Sequence, residues 1–251
     1  MSLFIVSDLH ARSDRDPTLR RVLNVLKMKA VPGDIFVFAG DIFDLFVGEK
    51  KIFLDQTRVF WDELKQASDR GVHIHYIEGN HDFHLRQLAK NCGFSCHSES
   101  IDFELDGKRF YIAHGDLVDR KDYGYLLLRW IFRSWVLQLF VKMAPCSWIE
   151  KIGFKFTDKN RILSVGEFKP KEKYRPAIKR LYRNFAVDKI KAGYDFVVLG
   201  HCHDLDEAKF VYQEREGTYF NVGFPPIDRT MLLWDQGTKI KKIDLSDWPA
   251  S

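Results

Sequence analysis

Five short apolar runs in this chain each end in a cluster of Asp, Asn or His, and that repetition constrains the fold more than any other feature. Residues 3–6 run into Asp8-Leu9-His10, and residues 35–39 into Gly40-Asp41-Ile42-Phe43-Asp44. Residues 72–77 run into Gly79-Asn80-His81-Asp82, residues 109–113 into His114-Gly115-Asp116, and residues 196–199 into Gly200-His201-Cys202-His203. Runs this short, bounded by turns such as Pro32-Gly33-Asp34, read as buried strands, and residues 218–222 and 230–234 read as two more. Between them lie helical patterns. Leu19, Val22, Leu23 and Leu26 recur at i, i+3, i+4 and i+7, and residues 55–68 form a second helix with Val59, Phe60 and Leu64 turned inward. Strands alternating with helices predict a layered α/β fold, in which ligands collect beyond the carboxyl ends of the strands.

The clusters share one chemistry. Asp8, His10, Asp41, Asn80, His114, His201 and His203 mix carboxylate, amide and imidazole donors. Imidazole suits Zn, Fe and Ni, whereas carboxylate and amide oxygens suit Mg and Mn. Such a mixed set fits two adjacent divalent ions, with Mn the leading candidate and Zn, Fe or Mg also compatible. Asp41 is the expected bridge, because a carboxylate has two oxygens to share. Two metals so placed activate water and neutralise a phosphoryl group, which is hydrolytic chemistry.

With these motifs in view, the chain resembles the calcineurin-like metallophosphoesterases, whose signature is D-x-H, G-D-x-x-D, G-N-H-D/E, a lone His and G-H-x-H. The resemblance covers about residues 1–116 and 195–225. It implies a four-layer αββα sandwich rather than a simple doubly wound sheet. It implies that Asp8, His10, Asp41 and His203 hold one metal, and that Asp41, Asn80, His114 and His201 hold the other. His81 would then stabilise or protonate the leaving group, supported by Asp44 or Asp82. A narrower resemblance rests on Gly40-Asp41-Ile42-Phe43-Asp44-Leu45-Phe46-Val47-Gly48. That stretch is similar to the UDP-2,3-diacylglucosamine diphosphatases, as are Asp116, Asp122, Tyr125 and Arg129 in type and spacing. This branch implies cleavage of a UDP-linked diacylated glucosamine to UMP and a lipid sugar phosphate, with Asn80, Asp122, Tyr125 and Arg129 contacting substrate. The chain departs from the branch in carrying His81 where its best-known members carry Arg.

Residues 120–191 break the strand–helix rhythm. They hold 18 Lys and Arg against 6 Asp and Glu, a net charge of +12 in a chain whose total is +4. They divide the chain into a core of residues 1–119 and 192–251 and an inserted helical lid. Within the insert, residues 123–156 carry nine aromatics, among them Trp130, Trp135 and Trp148, with Arg129, Arg133, Lys142, Lys151 and Lys155 opposed only by Glu150. A basic, aromatic, amphipathic helix suits a membrane surface. The aliphatic runs Leu126-Leu127-Leu128 and Leu139-Phe140-Val141 suit acyl chains. The competing expectation is that Leu127, Ile131, Val136 and Phe140 simply pack on the body. The basic run 169–191 is expected to be a solvated face or to attract anionic lipid or phosphate.

Residues 1–6 lack a basic leader region and a cleavage site, and the cysteines Cys92, Cys96, Cys146 and Cys202 need no disulfide. A cytoplasmic protein, peripheral on the inner face of the membrane, is expected, with a nucleotide-linked lipid and an anionic surface as partners. A phosphodiesterase or nuclease acting on nucleotides or single-stranded nucleic acid is the alternative. A non-catalytic scaffold would be expected to have lost ligands, and none is missing. His73 and His75 alternate along the third strand and read as packing or surface residues. His84 and His97 fall in no motif.

Overall fold

The computed structural model describes residues 1–145, 172–235, 237 and 239–250. Six strands form one sheet: β1 (Ser2–Val6), β2 (Ile35–Phe38), β4 (His73–Ile77), β6 (Ser95–His97), β12 (Thr230–Asp235) and β13 (Ile240–Asp244), in the order β13-β12-β1-β2-β4-β6. Five form a second: β7 (Ser100–Leu105), β8 (Lys108–Ala113), β9 (Phe196–Leu199), β10 (Asp206–Tyr212) and β11 (Arg215–Asn221), in the order β10-β11-β9-β8-β7. A two-stranded piece joins β3 (Phe46–Val47) to β5 (Asp82–Phe83). The central strands β1, β2 and β4 run parallel, as do β8 and β9, so the ends that carry the polar clusters lie side by side.

The sheets face each other across an apolar layer containing Leu3, Ile5, Val37 and Ile77 from one and Phe110, Ile112, Phe196 and Val198 from the other. Helices cover both outer faces. On the six-stranded sheet, Phe4, Phe36 and Phe38 meet α1 (Pro17–Met28) and α3 (Arg58–Asp69) through Leu19, Val22, Phe60 and Leu64. Strands buried on both faces explain why their sequences read as unbroken apolar runs rather than as alternations. The four-layer αββα arrangement expected from the resemblance is thus present.

Local chemistry sets the helix ends. The Asp16 carboxylate accepts from the backbone N–H groups of Thr18 and Leu19, and Pro17 opens α1. The helix expected over residues 55–68 is broken at Thr57. The segment before it is the short α2 (Lys51–Gln56), and α3 buries Phe60, Trp61, Leu64 and Ala67. Val59 is 48% exposed, so the inward position assigned to it belongs to Trp61. The reason is that Phe60, Trp61, Leu64 and Ala67 lie on one helical face, where Trp61 stacks on Phe94 and meets Phe43 and Phe46. Helix α4 (Arg86–Cys92) ends at Gly93, which has φ of 74°.

The insert is not one unit. Helix α5 (Tyr123–Phe132) and helix α6 (Trp135–Met143) form a hairpin in which no residue is buried. Trp130 is 72%, Trp135 74% and Phe140 52% exposed, and Leu127, Ile131 and Val136 are exposed too, against the expectation that they pack on the body. Helix α7 (Arg175–Lys191) instead buries Tyr182, Ala186 and Ile190 against Val197, Leu199 and Tyr219 on the outer face of the five-stranded sheet. It is the fourth layer of the sandwich, so the lid drawn over 120–191 takes in a core helix. The readings placed on Cys146, Trp148, Glu150, Lys151, Lys155 and the start of the basic run at Lys169 lie outside the described residues. Among the described residues, no helix is long and apolar enough to cross a membrane.

Candidate metal centre

The five polar clusters meet at the shared end of the two sheets. Asp8 and His10 follow β1, Asp41 follows β2, Asn80 follows β4, His114 follows β8, and His201 and His203 follow β9. The backbone there is unusual. Asp8, His10, Asp41, His201 and His203 all take left-handed conformations, with φ between 46° and 66°. Asp and His tolerate this region better than most residues, and such strain concentrates at functional sites. Two glycines let the strand ends approach. A Cβ on Gly79 would run into the Asp41 carboxylate and backbone, and one on Gly200 would run into Asp8 and Ser7.

The donor atoms fall into two knots. In the first, His10 Nε2 lies 3.0 Å from His203 Nε2, and His203 Nε2 lies 3.3 Å from Asp8 Oδ1. In the second, His114 Nε2 lies 3.1 Å from Asn80 Oδ1, 3.2 Å from His201 Nδ1 and 3.4 Å from Asp41 Oδ2. The same Asp41 oxygen is 3.7 Å from His10 Nε2, so one carboxylate touches both knots. Asp8, His10 and His203 converge as metal donors within 4.8 Å of one another, and so do Asp41, His114 and His201. These residues could hold two divalent cations. A third grouping of the same kind, His10, Asp44 and His81, lies beside the first.

A buried frame holds the donors. Asp82 is fully buried and accepts from the backbone N–H groups of Asp41, Ile42 and Gly79 and from the Tyr76 hydroxyl at 2.5 Å. It therefore fixes the Asp41 loop rather than facing solvent. The Asp44 carboxylate accepts from Arg12 Nε at 3.2 Å, while its carbonyl lies 2.8 Å from His81 Nδ1. His81 N–H donates to Asp41 Oδ1 at 2.9 Å. The Ser7 hydroxyl and the His201 N–H both donate to the Asp8 carboxylate.

Burial and charge work against each other here. Burial pushes the Asp41 carboxyl up, yet His114, His81 and His10 together hold it well below the usual range. Burial pulls His114 down, but Asp41 outweighs it and lifts the imidazole to about 10. Asp41 pulls His10 and His201 the same way, but there burial wins. Burial takes His10 to about 3, and burial with the neighbouring His114 takes His201 to about 4. Those two rings are neutral at pH 7, as metal ligands must be. Asp82, pushed up to about 6 by burial and by Asp41, is the carboxyl most ready to take a proton.

The hairpin is fastened beside this centre. The Tyr125 hydroxyl and Arg129 Nε both donate to Asp116 Oδ2, at 2.5 and 2.9 Å, and the Tyr125 ring lies 6.3 Å from the His201 ring. Asp122, expected to meet substrate, caps α5 by accepting from the Tyr125 N–H at 2.8 Å. Further along, Arg133 donates to Glu78 at 2.6 Å, and the Phe132 carbonyl lies 2.9 Å from His84 Nε2. Lys50 donates to the Val141, Lys142 and Ala144 carbonyls at the end of α6, where a cation suits the helix dipole. Asp204, next to His203, accepts a two-nitrogen contact from Arg175 of α7. Tyr76, Glu78, Lys50 and Asp204 stand in none of the sequence motifs, Ser7 only adjoins one, and Arg133 reads there only as part of a basic face. Ser7 and Asp204 adjoin ligands, a signal that was available. The others pair with residues far along the chain, which no local pattern reveals.

Residues 1–205 match the family described as calcineurin-like phosphoesterase. Among curated proteins, the UDP-2,3-diacylglucosamine hydrolase of Aeromonas salmonicida is 32% identical over 148 residues, 57% of each chain. The protein of that name from Neisseria gonorrhoeae is 30% identical over 61% of this chain and 64% of its own. The one from Aeromonas hydrophila is 27% identical over 81% and 82%. The chain thus spans less than two thirds of the length of the first two of these relatives. Among solved structures, one described as a novel archaeal phosphodiesterase aligns over 97% of this chain and 99% of its own, with a TM-score of 0.48 and 17% identity. With residues 1–205 of 251 matched and the metal-binding motifs all present, the chain belongs to the calcineurin-like phosphoesterase family.

Proposed function

We propose that this protein is a metal-dependent hydrolase that cleaves the pyrophosphate of a UDP-linked diacylated glucosamine, releasing UMP and a lipid sugar phosphate. The observation that carries the reading is the juxtaposition of the double donor knot with an exposed apolar hairpin. Tyr125, at the root of that hairpin, stands beside His201, while Leu127, Trp130 and Phe140 are open to solvent. A small soluble phosphodiester has no use for such a surface, whereas acyl chains do. The curated relatives bearing the name UDP-2,3-diacylglucosamine hydrolase support the same substrate class.

Asp8, His10, Asp41 and His203 would hold one divalent ion, and Asp41, Asn80, His114 and His201 the other, with Mn the favoured ion for this mixed oxygen and nitrogen set. A pair of ions supplies an activated water and charge neutralisation at phosphorus. The protein's own residues position and protonate. The Asp44 carbonyl accepts from His81 Nδ1–H and orients the ring, so that the imidazole can serve the leaving oxygen. Arg129 and Tyr125, held on Asp116, keep the hairpin beside the centre. The exposed Trp and Leu side chains, with the basic insert, would rest on an anionic membrane on its cytoplasmic face.

The test is a substrate panel on manganese-loaded protein: a diacylated UDP-glucosamine, the same UDP-sugar without acyl chains, and single-stranded DNA. The diacylated substrate should be hydrolysed fastest, with UMP as product. Faster cleavage of the DNA would make the protein a nuclease instead.

A further inference from the structure

Away from the metal centre, three histidines share one face of the sandwich edge. In β4, Ile74 and Tyr76 point to the helical layer and Ile77 to the layer between the sheets, so His73 and His75 lie on the inner side with Ile77. In β6, the last strand of its sheet, His97 pairs with Ile77 and so shares that face. His75 Nδ1 lies 3.1 Å from His97 Nε2, and the rings are 5.3 Å apart at 33°. His73 is exposed two residues earlier on the strand.

We propose that His75 and His97 chelate a zinc-like divalent cation, with water completing its coordination, at a site separate from the catalytic pair. Two nitrogens bound to one tetrahedral zinc at about 2.0–2.1 Å stand roughly 3.3 Å apart, close to the separation these two already have. Burial, with His97 and His73 alongside, keeps His75 at about 4, so its ring is neutral at pH 7 and ready to donate a lone pair. Because the pair offers only imidazole nitrogens, the site selects zinc, nickel or copper(II) over manganese and magnesium. The ion would clamp the edge strand beside the hairpin's root. The Glu78 N–H donates to the His97 carbonyl at 2.8 Å, and Arg129 donates to the Ser98 carbonyl at 2.8 Å. The competing account is a plain hydrogen bond between two neutral rings.

Equilibrium dialysis at micromolar free zinc, followed by elemental analysis, separates the two. Wild type should hold one more zinc per chain than His75→Asn or His97→Asn, whatever the count at the catalytic centre. His97→Asn, at the sheet edge, tests the site even if His75→Asn fails to fold. With manganese in place of zinc, wild type and variants should hold equal amounts. Equal zinc counts in wild type and His97→Asn overturn the proposal, and so does a manganese difference matching the zinc difference.

Discussion

At the scale of single residues, Asp41 is the pivot. Its Oδ2 touches both knots, and its Oδ1 accepts from the His81 N–H. Replacing it with alanine should weaken binding of both ions, by more than the roughly 10–100-fold that loss of a supporting residue costs. Elemental analysis after dialysis checks this, and two retained ions would remove Asp41 from the bridge. His81 is the opposite case. His81→Ala should keep both ions and lose about 10²–10⁴-fold in rate, the usual contribution of a general acid. Loss of an ion instead would make the His10–Asp44–His81 grouping a true ligand set. His114 adds a pH signature. Its folded value, raised to about 10 chiefly by Asp41 against burial, leaves it protonated at pH 7 before metal enters. Metal must displace that proton, so apparent affinity should rise with pH up to about 10, and calorimetry in buffers of different ionisation enthalpy should show about one proton released. The ligands were legible in the sequence because each sits beside a glycine or in a tight motif. The frame was not, because Asp82 acts through Tyr76 and the Asp41 loop, contacts that only the folded chain creates.

At the scale of elements, the hairpin and α7 divide what the sequence presented as one insert. Charge made residues 120–191 look continuous, and charge says little about which face a helix buries. The spacing of Ile178, Tyr182, Ala186 and Ile190 held the missing information, since it marks one helical face that packs on the five-stranded sheet. The hairpin's helices were legible, but the exposure of their apolar faces was not, because periodicity does not say what a stripe meets. If that stripe receives acyl chains, trimming it should act on lipid alone. Trp130→Ser with Trp135→Ser should lower kcat/KM for the diacylated substrate by about tenfold or more, since loss of contact with two or three methylenes at ~0.8 kcal/mol each reaches that size. Turnover of a small generic phosphodiester should stay unchanged, and an equal loss on both would make the hairpin a structural part.

At the scale of the molecule, two sheets bring their strand ends to one rim, and helical layers hold each sheet from outside. That arrangement makes the site depend on the core. Phe60 is fully buried and makes edge contacts with Phe38 and Phe43, the latter two residues from Asp41. Phe60→Ala should cost about 3–5 kcal/mol of stability by denaturant unfolding. The central claim is that the double donor knot, filled with divalent ions, cleaves the lipid pyrophosphate. Titrating metal-stripped protein with manganese, while following bound metal and UMP release from a diacylated UDP-glucosamine together, tests it most directly. The account predicts no release before metal is added and full activity only as the second ion binds. Activity in the metal-stripped protein, or two bound ions with no UMP released, would contradict it.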